Sequence, residues 1–305
     1  MTTRTGTIRM GVIGLKFGYF HVQTLMTMND IELVAVADRS ADMSYVSRYG
    51  VKTYQDGLEL LQKENLDAVS ICTSPKHRQP LIEYAAKNNI AMFIEKPLAA
   101  TLEQARELET LCNEQNASVM LGFSFRFHPA IVRLRELVNT TLGQAWLLNG
   151  EYMFDWLPPA NGWLWDKENG NGFFNENSCH LFDAVCYLLG EPVSVMAEGA
   201  NHKGSPSEEI AAVTLRFESG AIAALTLGAL ATGPFRNYPR INLLAEHGQA
   251  QLEGRDHIWE SLSWATRGSS ELQTFSAPPE SLNQTRYTRA FQHLADCVKN
   301  KQQPS

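Results

Sequence analysis

The chain has 305 residues, more than one ordinary domain needs and enough for two. Hydrophobic residues make up 44% of it and charged residues 19%, as in a typical globular protein. The net charge is −7 and both signs are interspersed along the chain. A basic surface that binds nucleic acid or an anionic membrane is therefore not expected.

The cysteine spacings and the lengths of the apolar runs argue against a zinc site, a signal peptide and a membrane-spanning helix. Five cysteines with scattered spacings give no zinc-site pattern, so we expect free thiols and no metal. The N-terminal segment lacks the apolar run and cleavage site of a signal peptide. The longest apolar stretch, residues 221–231, is far shorter than the roughly 20 residues of a membrane-spanning helix. We therefore expect a cytoplasmic protein with no membrane segment.

The first part of the chain alternates apolar strands with helical segments. The predicted strands are residues 8–13, 32–37, 68–72, 90–94 and 119–121. A helix is predicted at 79–87, and Thr101 with Gln104 forms a capping box at the start of another. Strands joined by helices of this length indicate a doubly wound parallel sheet with right-handed crossovers. The prediction for residues 1–122 is an α/β Rossmann domain.

The second part has a different pattern. A long helix is predicted at 174–189, and paired strands at 210–217 with 221–227 and at 241–245 with 249–252 indicate hairpins. A last helix is predicted at 283–299. Hairpins form antiparallel sheets, so residues 123–305 are predicted to be an α+β domain with an open, mainly antiparallel sheet.

The strand at 221–227, AIAALTL, predicts association between copies of the chain. It has few polar side chains on either face. A sheet face that no helix covers needs another partner if it is apolar, and symmetric association supplies one. We therefore expect a homodimer or a higher homo-oligomer.

The segment between the first strand and the first helix has the position of a phosphate-binding loop. It runs from Gly14 to Gly18 and includes Lys16 and Phe17. Glycines there allow a tight turn, and the following helix N-terminus favours a pyrophosphate. The loop is one residue shorter than G-x-G-x-x-G, and Lys16 stands where the middle glycine usually is. Two alternatives stay open for Lys16: its ammonium contacts a phosphate, or its stem crowds the turn.

Asp38 ends the second strand near the offset of about 20 residues expected for a ribose-binding acid. Its carboxylate would accept hydrogen bonds from a free ribose and repel a 2′-phosphate, which favours NAD. Arg39 is the counter-argument, because it could pair with that phosphate. The predicted cofactor is therefore NAD, with NADP as the alternative.

Three further segments carry chemistry. Thr73, Ser74 and His77 follow the 68–72 strand, and Glu95-Lys96-Pro97 follows the 90–94 strand. Both segments lie at carboxyl ends of parallel strands, where such sheets bind ligands. On the 174–189 helix, Glu176, His180 and Asp183 have i,i+4 and i,i+3 spacing and are expected to share one face.

With these motifs the chain resembles the Gfo/Idh/MocA family, the glucose–fructose oxidoreductase and inositol dehydrogenase group. The resemblance covers most of the chain. The motifs that carry it are His21 early in the first helix, T-x-x-x-H from Thr73 to His77, E-K-P from Glu95, F-x-x-R-F-x-P from Phe123 to Pro129, and H-x-x-D at His180 and Asp183. It implies NAD or NADP and oxidation at a carbinol carbon of a sugar, cyclitol or related polyol.

The resemblance also implies residue roles. Lys96 matches the family's catalytic lysine and His180 its general base, and Glu176 stands where the family usually has aspartate. The predicted catalytic residues are Lys96, His180 and Glu176. The predicted cofactor contacts are Gly14, Lys16, Phe17, Gly18, Asp38, Arg39, Thr73, Ser74, His77, Glu95 and Lys96. The predicted substrate contacts are Lys96, Arg126, Trp163, His180 and Asp183.

Several alternatives remain open at this point. Tyr152, Trp156, Trp163 and Trp165 are either a sugar-stacking wall or core aromatics. The resemblance also permits a lyase or glycosidase that retains its NAD, and the unusual glycine loop permits a non-catalytic dinucleotide-binding regulatory protein. Neither the substrate nor the reaction direction follows from the sequence.

Overall fold

The computed structural model describes residues 6–47, 49–235, 238–255, 258–277 and 282–304. The chain divides into two compact units. Unit 1 contains the chain up to Gly122, Lys167–Asn169 and the segment from Tyr287 onward. Unit 2 contains Phe123–Asp166 and Gly170–Arg286.

Unit 1 is built on a six-stranded parallel sheet, as the alternating pattern predicts. Its strands are β1 (Ile8–Ile13), β2 (Ile31–Ala37), β3 (Lys52–Tyr54), β4 (Ala68–Ile71), β5 (Ala91–Ile94) and β6 (Val119–Leu121). Its helices include α1 (Leu15–Leu25), α2 (Ser44–Ser47), α3 (Gly57–Lys63), α4 (Gln79–Lys87) and α5 (Leu102–Glu114). The strand order β3-β2-β1-β4-β5-β6 is the Rossmann order, confirming the predicted fold class.

Local sequence signals explain these elements. Every residue of β4 and β5 is buried, because helices cover both faces of a parallel sheet. The Thr101 side chain accepts a hydrogen bond from the Gln104 backbone N–H at 3.2 Å, so the predicted cap of α5 is present. Asp56 caps α3 in the same way by accepting from two backbone N–H groups. These caps satisfy N–H groups that have no partner inside the helix.

The last helix, α8 (Leu282–Asn300), requires a correction to the predicted division of the chain. Residues 123–305 were expected to form one domain, but the segment from Tyr287 onward belongs to unit 1. The ring centroid of Tyr287 lies 4.9 Å from that of His21, and Phe291 lies 4.8 Å from Phe93. These contacts join residues far apart in sequence, so no local pattern predicted them.

Unit 2 contains an eight-stranded, mainly antiparallel sheet. Its strands are β7 (Ala145–Met153), β8 (Pro192–Ala200), β9 (Ile210–Phe217), β10 (Ile222–Gly228), β11 (Arg240–Ala245), β12 (Gly248–Arg255), β13 (Ile258–Thr266) and β14 (Gln273–Ser276). Among the described residues their order is β14-β13-β12-β11-β7-β10-β9-β8. The β7–β10 pair is parallel and the other pairs are antiparallel, and both predicted hairpins are present.

The helices of unit 2 are α6 (Pro129–Leu137) and α7 (Cys179–Leu189), and both contribute to the core on one face of this sheet. Tyr152, Phe217 and Trp259 from the strands are buried there. The opposite face carries polar side chains such as Asn149 and Thr214, which are exposed. The sheet therefore has one apolar and one largely polar face, as antiparallel sheets commonly do.

Candidate functional site

The turn between β1 and α1 requires glycine for steric reasons. Gly14 has φ 88°, and a Cβ there would lie 2.8 Å from the Thr73 backbone nitrogen. A Cβ on Gly18 would lie 3.1 Å from Val12 and 3.3 Å from the Cys72 sulfur, so α1 packs closely on the sheet. The first turn of α1 carries no acidic residue. A tight turn that leads into an acid-free helix N-terminus suits a pyrophosphate.

The structure decides one alternative for the middle of this turn. Lys16 and Phe17 are both exposed, so the Lys16 stem does not fill the turn. Its ammonium remains available to solvent at the sheet edge. This exposure removes the steric objection to a ligand at the loop.

Asp38 lies beside the glycine turn at the end of β2. Its Oδ2 accepts from the Leu15 backbone N–H at 2.6 Å, and its Oδ1 accepts from those of Ser40 and Ala41 at 2.8 Å each. Burial alone would raise the pKa of Asp38, but these backbone hydrogen bonds lower it below its ordinary value. The carboxylate is therefore charged at neutral pH and is held at the first residue of α1.

Positive charge gathers at the same edge of unit 1. Burial, followed by the positive charges of Arg39 and Lys76, lowers the pKa of His77. Arg39, Lys76 and His77 are all exposed. The prediction named Arg39 and His77 but not Lys76. Arg39 and Lys76 are cations that could pair with a 2′-phosphate, so NADP stays open as a cofactor.

A buried hydrogen-bond network lies within unit 1, and Glu95 is at its centre. Glu95 is 3% exposed, and its Oε1 lies 3.1 Å from His21 Nε2 and accepts from the Tyr287 hydroxyl at 3.3 Å. The other nitrogen of His21 lies 2.7 Å from the Ser70 hydroxyl. The Glu95 carboxylate is thus used inside the unit, and its predicted contact with the cofactor stays a prediction.

Charges inside this network stabilise one another. Burial alone would lower the pKa of His21, but Cys72 and Glu95 beside the ring raise it to about 10. Burial would raise the pKa of Glu95, but His21, Lys96 and Arg78 lower it. A protonated His21 paired with an ionised Glu95 is the state that this arrangement favours.

Lys96 is the next residue in the chain after Glu95, at the edge of this network. It is half-buried, and its backbone N–H donates to Glu95 Oε2 at 3.1 Å. The Lys96–Pro97 peptide bond is cis. The Glu95 side chain thus holds the backbone from which the Lys96 side chain extends. Sequence reasoning missed this role of Glu95, although the E-K-P motif placed the two residues together.

In unit 2, His180 lies in the first turn of α7. The residue is 6% exposed, and its ring stacks on Phe125 with centroids 4.9 Å apart and planes 30° apart. Phe125 belongs to a short 3₁₀ turn, Ser124–Phe127, within the predicted F-x-x-R-F-x-P motif. That motif therefore fixes the plane of the His180 ring.

The same short turn also holds Asp183. Arg126 donates to Asp183 with Nε at 3.0 Å to both oxygens and with Nη2 at 2.7 Å to Oδ1. Burial raises the pKa of Asp183, and Arg126 opposes only part of that rise. The two residues were predicted as separate substrate contacts, and the structure joins them in one ion pair.

The sequence predicts that Glu176 lies on an α-helix, but in the structure it does not. Phe174–Ser178 form a single π-helical turn, and α7 begins only at Cys179. Hydrogen bonds in a π turn run from i to i+5, so the i,i+4 spacing of Glu176 and His180 no longer defines one face. The expected shared face therefore does not extend to Glu176, while His180 and Asp183 keep their i,i+3 spacing within α7. Such π turns are frequent at functional sites.

An open cleft of about 480 Å³ lies in unit 2 beside α7. Its lining consists of Phe123, Phe174, Asn175, Cys179, Phe182, Asp183 and Cys186. Asp183 thus reaches this cleft, whereas the His180 ring faces Phe125. The cleft combines apolar walls with few polar groups, as small-molecule sites commonly do.

The four aromatic residues considered for a sugar-stacking wall differ in burial and form two pairs. Tyr152 and Trp165 are buried in the core of unit 2. Trp156 and Trp163 are 41% and 53% exposed. The core interpretation is therefore correct for the first pair, while Trp163 and Trp156 keep exposed faces on which a sugar could stack.

Two broad features complete the description of the chain. Within the ranges that the structure describes, no helix is long and apolar enough to cross a bilayer. Among the same residues, His, Cys, Asp and Glu side chains form no group of three or more that could hold a metal ion.

Comparison with known proteins gives matches to both units. A family model described as "Oxidoreductase family, NAD-binding Rossmann fold" matches residues 8–123. A second, described as "GFO/IDH/MocA C-terminal domain", matches residues 131–251. These two matches together cover most of the chain.

Individual relatives are similar over much of their length. The scyllo-inositol 2-dehydrogenase (NAD(+)) of Bacillus subtilis is 28% identical, covering 97% of this chain and 88% of its own. The myo-inositol 2-dehydrogenase of Thermotoga maritima is 31% identical over 72% of this chain and 67% of its own. A levoglucosan dehydrogenase solved with NADH and levoglucosan has a TM-score of 0.85 at 18% identity, covering 98% of this chain and 92% of that one.

Proposed function

Because the chain belongs to the GFO/IDH/MocA oxidoreductase family, we propose that it oxidises a carbinol carbon of a sugar, cyclitol or related polyol with NAD as hydride acceptor, or catalyses the reverse reaction. The match of both family domains is the observation that carries this proposal. The glycine turn and Asp38 support it, because they stand at the sheet edge where Rossmann domains bind a dinucleotide. The inositol and sugar dehydrogenases among its relatives support the substrate class.

The residues of unit 1 fit the cofactor. The Gly14–Gly18 turn and the acid-free start of α1 suit the pyrophosphate, and the charged Asp38 suits the adenosine ribose. When bound, the nicotinamide supplies the hydride acceptor or donor. Thr73, Ser74 and His77 are proposed as further contacts at the end of β4.

In the proposed reaction, His180 accepts the proton of the substrate hydroxyl and Lys96 donates a hydrogen bond to the developing alkoxide. Phe125 fixes the plane of the His180 ring, and Glu95 holds the Lys96 backbone. Arg126 and Asp183 are proposed to contact substrate hydroxyls as a pair, and Trp163 to offer a stacking face. Glu176 is proposed to orient His180 from the π turn.

A panel of sugars and inositols with NAD and NADP, followed at the nicotinamide absorbance, tests this function. We expect Lys96→Ala and His180→Ala each to lower kcat about 10²–10⁴-fold, the usual range for loss of general acid–base catalysis. Both variants should still bind NAD in a titration, because neither residue is assigned to the adenosine edge, but Lys96→Ala should lose more affinity than His180→Ala, since Lys96 is also a predicted cofactor contact. Glu176→Gln should lower kcat less, and Glu176→Asp should be tolerated best.

The control is Lys87→Ala, an exposed lysine paired with Glu83 on α4. Full turnover in His180→Ala would contradict its role as general base. A cofactor that stays bound and is not consumed over many turnovers would instead identify a lyase or glycosidase. Failure to bind either dinucleotide would favour a non-catalytic regulatory protein.

We also propose that the chain forms a homo-oligomer, at simplest a twofold dimer through the sheet of unit 2. The strongest support comes from β8 rather than from the predicted strand at 221–227. Nearly all of β8 is exposed, and Val193, Val195 and Met196 are 57%, 63% and 78% exposed. Exposed apolar strands of this kind commonly associate. Sedimentation of Met196→Glu should show weaker association than the wild type, and a wild type that is monomeric at micromolar concentration would contradict the proposal.

A further inference from the structure

Arg78 is a buried cation at the cofactor edge of unit 1 that the proposed mechanism does not use. It is 2% exposed and directly precedes α4. Its Nε donates to the Thr73 carbonyl oxygen at 2.7 Å. Its Nη1 donates to the carbonyl oxygens of Glu95 and Pro97, the residues on either side of Lys96. One side chain therefore contacts the backbone before and after Lys96.

These carbonyl groups need a partner that the sheet does not provide. The Glu95 N–H still donates to the Ile71 carbonyl oxygen of β4 at 3.0 Å, but β5 ends at Ile94, and the Glu95 and Pro97 carbonyl oxygens lie beyond it. A buried carbonyl without a partner destabilises a protein. A guanidinium offers five donors in a rigid planar fork, which lets it bind several carbonyls with fixed geometry.

The Lys96 backbone is thus held by two different side chains. Glu95 accepts from its N–H, and Arg78 donates to the carbonyl oxygens on both sides. With the neighbouring peptide groups fixed, the direction in which the Lys96 side chain leaves the backbone is fixed as well. Glu95 is itself held by His21 and Tyr287, so the support extends into the interior of unit 1.

We propose that Arg78 is a positioning residue that orients Lys96 for its contact with the substrate oxygen. The proposal rests on the proposed function, since it assumes that Lys96 acts on the substrate. Its rival is a purely structural role, in which Arg78 only stabilises the turn before α4. Burial lowers the pKa of Arg78 to about 10, with Glu95 opposing that shift, so the cation is present at neutral pH in either case.

A double-mutant cycle separates the two roles. The variants are Arg78→Met, Lys96→Ala and the double variant, each assayed for kcat and for NAD affinity by titration. We expect Arg78→Met to lower kcat about 10- to 100-fold, because a displacement of about 1 Å at a reacting group has effects of this size. NAD affinity should fall less, since only the Thr73 contact lies at the predicted cofactor loop.

The decisive comparison is in the Lys96→Ala background. If Arg78 acts through Lys96, Arg78→Met should lower kcat no further there, because the side chain that it orients is gone. An equal loss of kcat in both backgrounds would overturn the proposal and support the structural role. Arg78→Met with wild-type kcat would overturn it too. Arg78→Lys, which keeps the charge but loses the fork, should fall between wild type and Arg78→Met, and it replaces Arg78→Met if that variant does not fold.

A readout independent of turnover separates this proposal from the proposed function. The rate at which trinitrobenzenesulfonate modifies Lys96 is measured across pH by peptide mass spectrometry. Arg78→Met should change that rate, whereas Arg106→Met, at an exposed arginine of α5, should not. If Lys96→Ala retains full turnover, the proposed function of Lys96 is wrong, and the labelling rate alone decides whether Arg78 orients it. An unchanged labelling rate would then overturn the positioning role.

Discussion

The candidate site residues of the two units are held in different ways. In unit 1, backbone geometry shapes the glycine turn at the sheet edge. In unit 2, side chains from distant segments hold His180 and Asp183. Gly14 and Gly18 let the turn before α1 and the start of α1 lie close to Cys72 and Thr73, and Asp38 accepts from the backbone of the same turn. In unit 2, Phe125 holds His180 and Arg126 holds Asp183, across more than 50 residues of sequence. A site built from backbone depends on a few glycines and strand ends, whereas one built from side-chain pairs depends on each partner.

Unlike the glycine turn, the buried network around Glu95 in unit 1 depends on side-chain pairs. Breaking it should cause the largest loss in the free energy of unfolding. Glu95→Leu removes the carboxylate that pairs with His21 and accepts from the Tyr287 hydroxyl and the Lys96 N–H. Breaking a buried ion pair on one side typically costs about 3–5 kcal/mol, so we expect that loss in the free energy of unfolding by urea. Glu32→Gln, in an exposed pair with Arg9, should cost less than about 1 kcal/mol. Equal effects of the two substitutions would show that the network is not a stabilising element.

The pH dependence of stability tests the charge on His21. Its pKa in the folded chain, about 10, lies above the ordinary value of 6.5. The stabilisation is therefore complete below about pH 6.5 and is lost as pH rises toward 10. One proton gives a slope of up to about 1.4 kcal/mol per pH unit in the free energy of unfolding. Urea denaturation between these pH values measures it, and a wild-type slope that persists in His21→Gln would assign the effect to other groups.

In unit 2, the matching test is Arg126→Met. It leaves the Asp183 carboxylate, whose side chain is 6% exposed, without its guanidinium. We expect a loss of about 1–3 kcal/mol in the free energy of unfolding, less than for Glu95→Leu because Arg126 itself is partly exposed. The double variant with Asp183→Leu should recover part of the loss, since no unpaired carboxylate remains. Arg216→Met, at an exposed arginine of β9, is the control. No recovery in the double variant would mean that Arg126 stabilises unit 2 by packing alone.

The smallest expected effect is on cofactor choice at the edge of unit 1. Asp38→Asn keeps an acceptor for the Leu15 N–H but removes the charge that would repel a 2′-phosphate. We expect the NADP-to-NAD affinity ratio to rise about tenfold, or about 1.4 kcal/mol. Lys76→Ala should lower the NADP-to-NAD affinity ratio, because it removes a cation beside His77 that would attract a 2′-phosphate. Tighter binding of NADP than NAD by the wild type, in titrations of both, would contradict the predicted preference.

The sheet of unit 1 could be predicted closely because its signals are local. The predicted bounds of β1, β6 and α4 agree with the structure, and the Thr101 cap is present. Continuous apolar runs mark strands that are buried on both faces, and a cap depends on residues only three positions apart. The β3 strand was missed because it has three residues and none of them is buried.

The candidate site was predicted less completely, because the partners of its residues come from elsewhere in the chain. The E-K-P motif identified Glu95 as a residue to examine, but only the structure shows that its carboxylate accepts from Tyr287 of the last helix. Arg78 follows the T-x-x-x-H motif directly, yet nothing local indicates that it donates to the carbonyl oxygens of Glu95 and Pro97. The π turn at Phe174–Ser178 also differs too little from an α-helical pattern to be recognised.

Sequence patterns alone predicted the α/β and antiparallel sheets, the glycine turn, the acid at the end of β2 and the family. Each of these depends on spacings of a few residues, which backbone geometry converts directly into structure. Contacts made after folding place the part of α8 from Tyr287 onward in unit 1, pair Glu95 with His21, and pair Arg126 with Asp183. Those outcomes depend on which buried charges and aromatic rings meet after the chain has folded, and burial requires each to find a partner wherever in the sequence one lies.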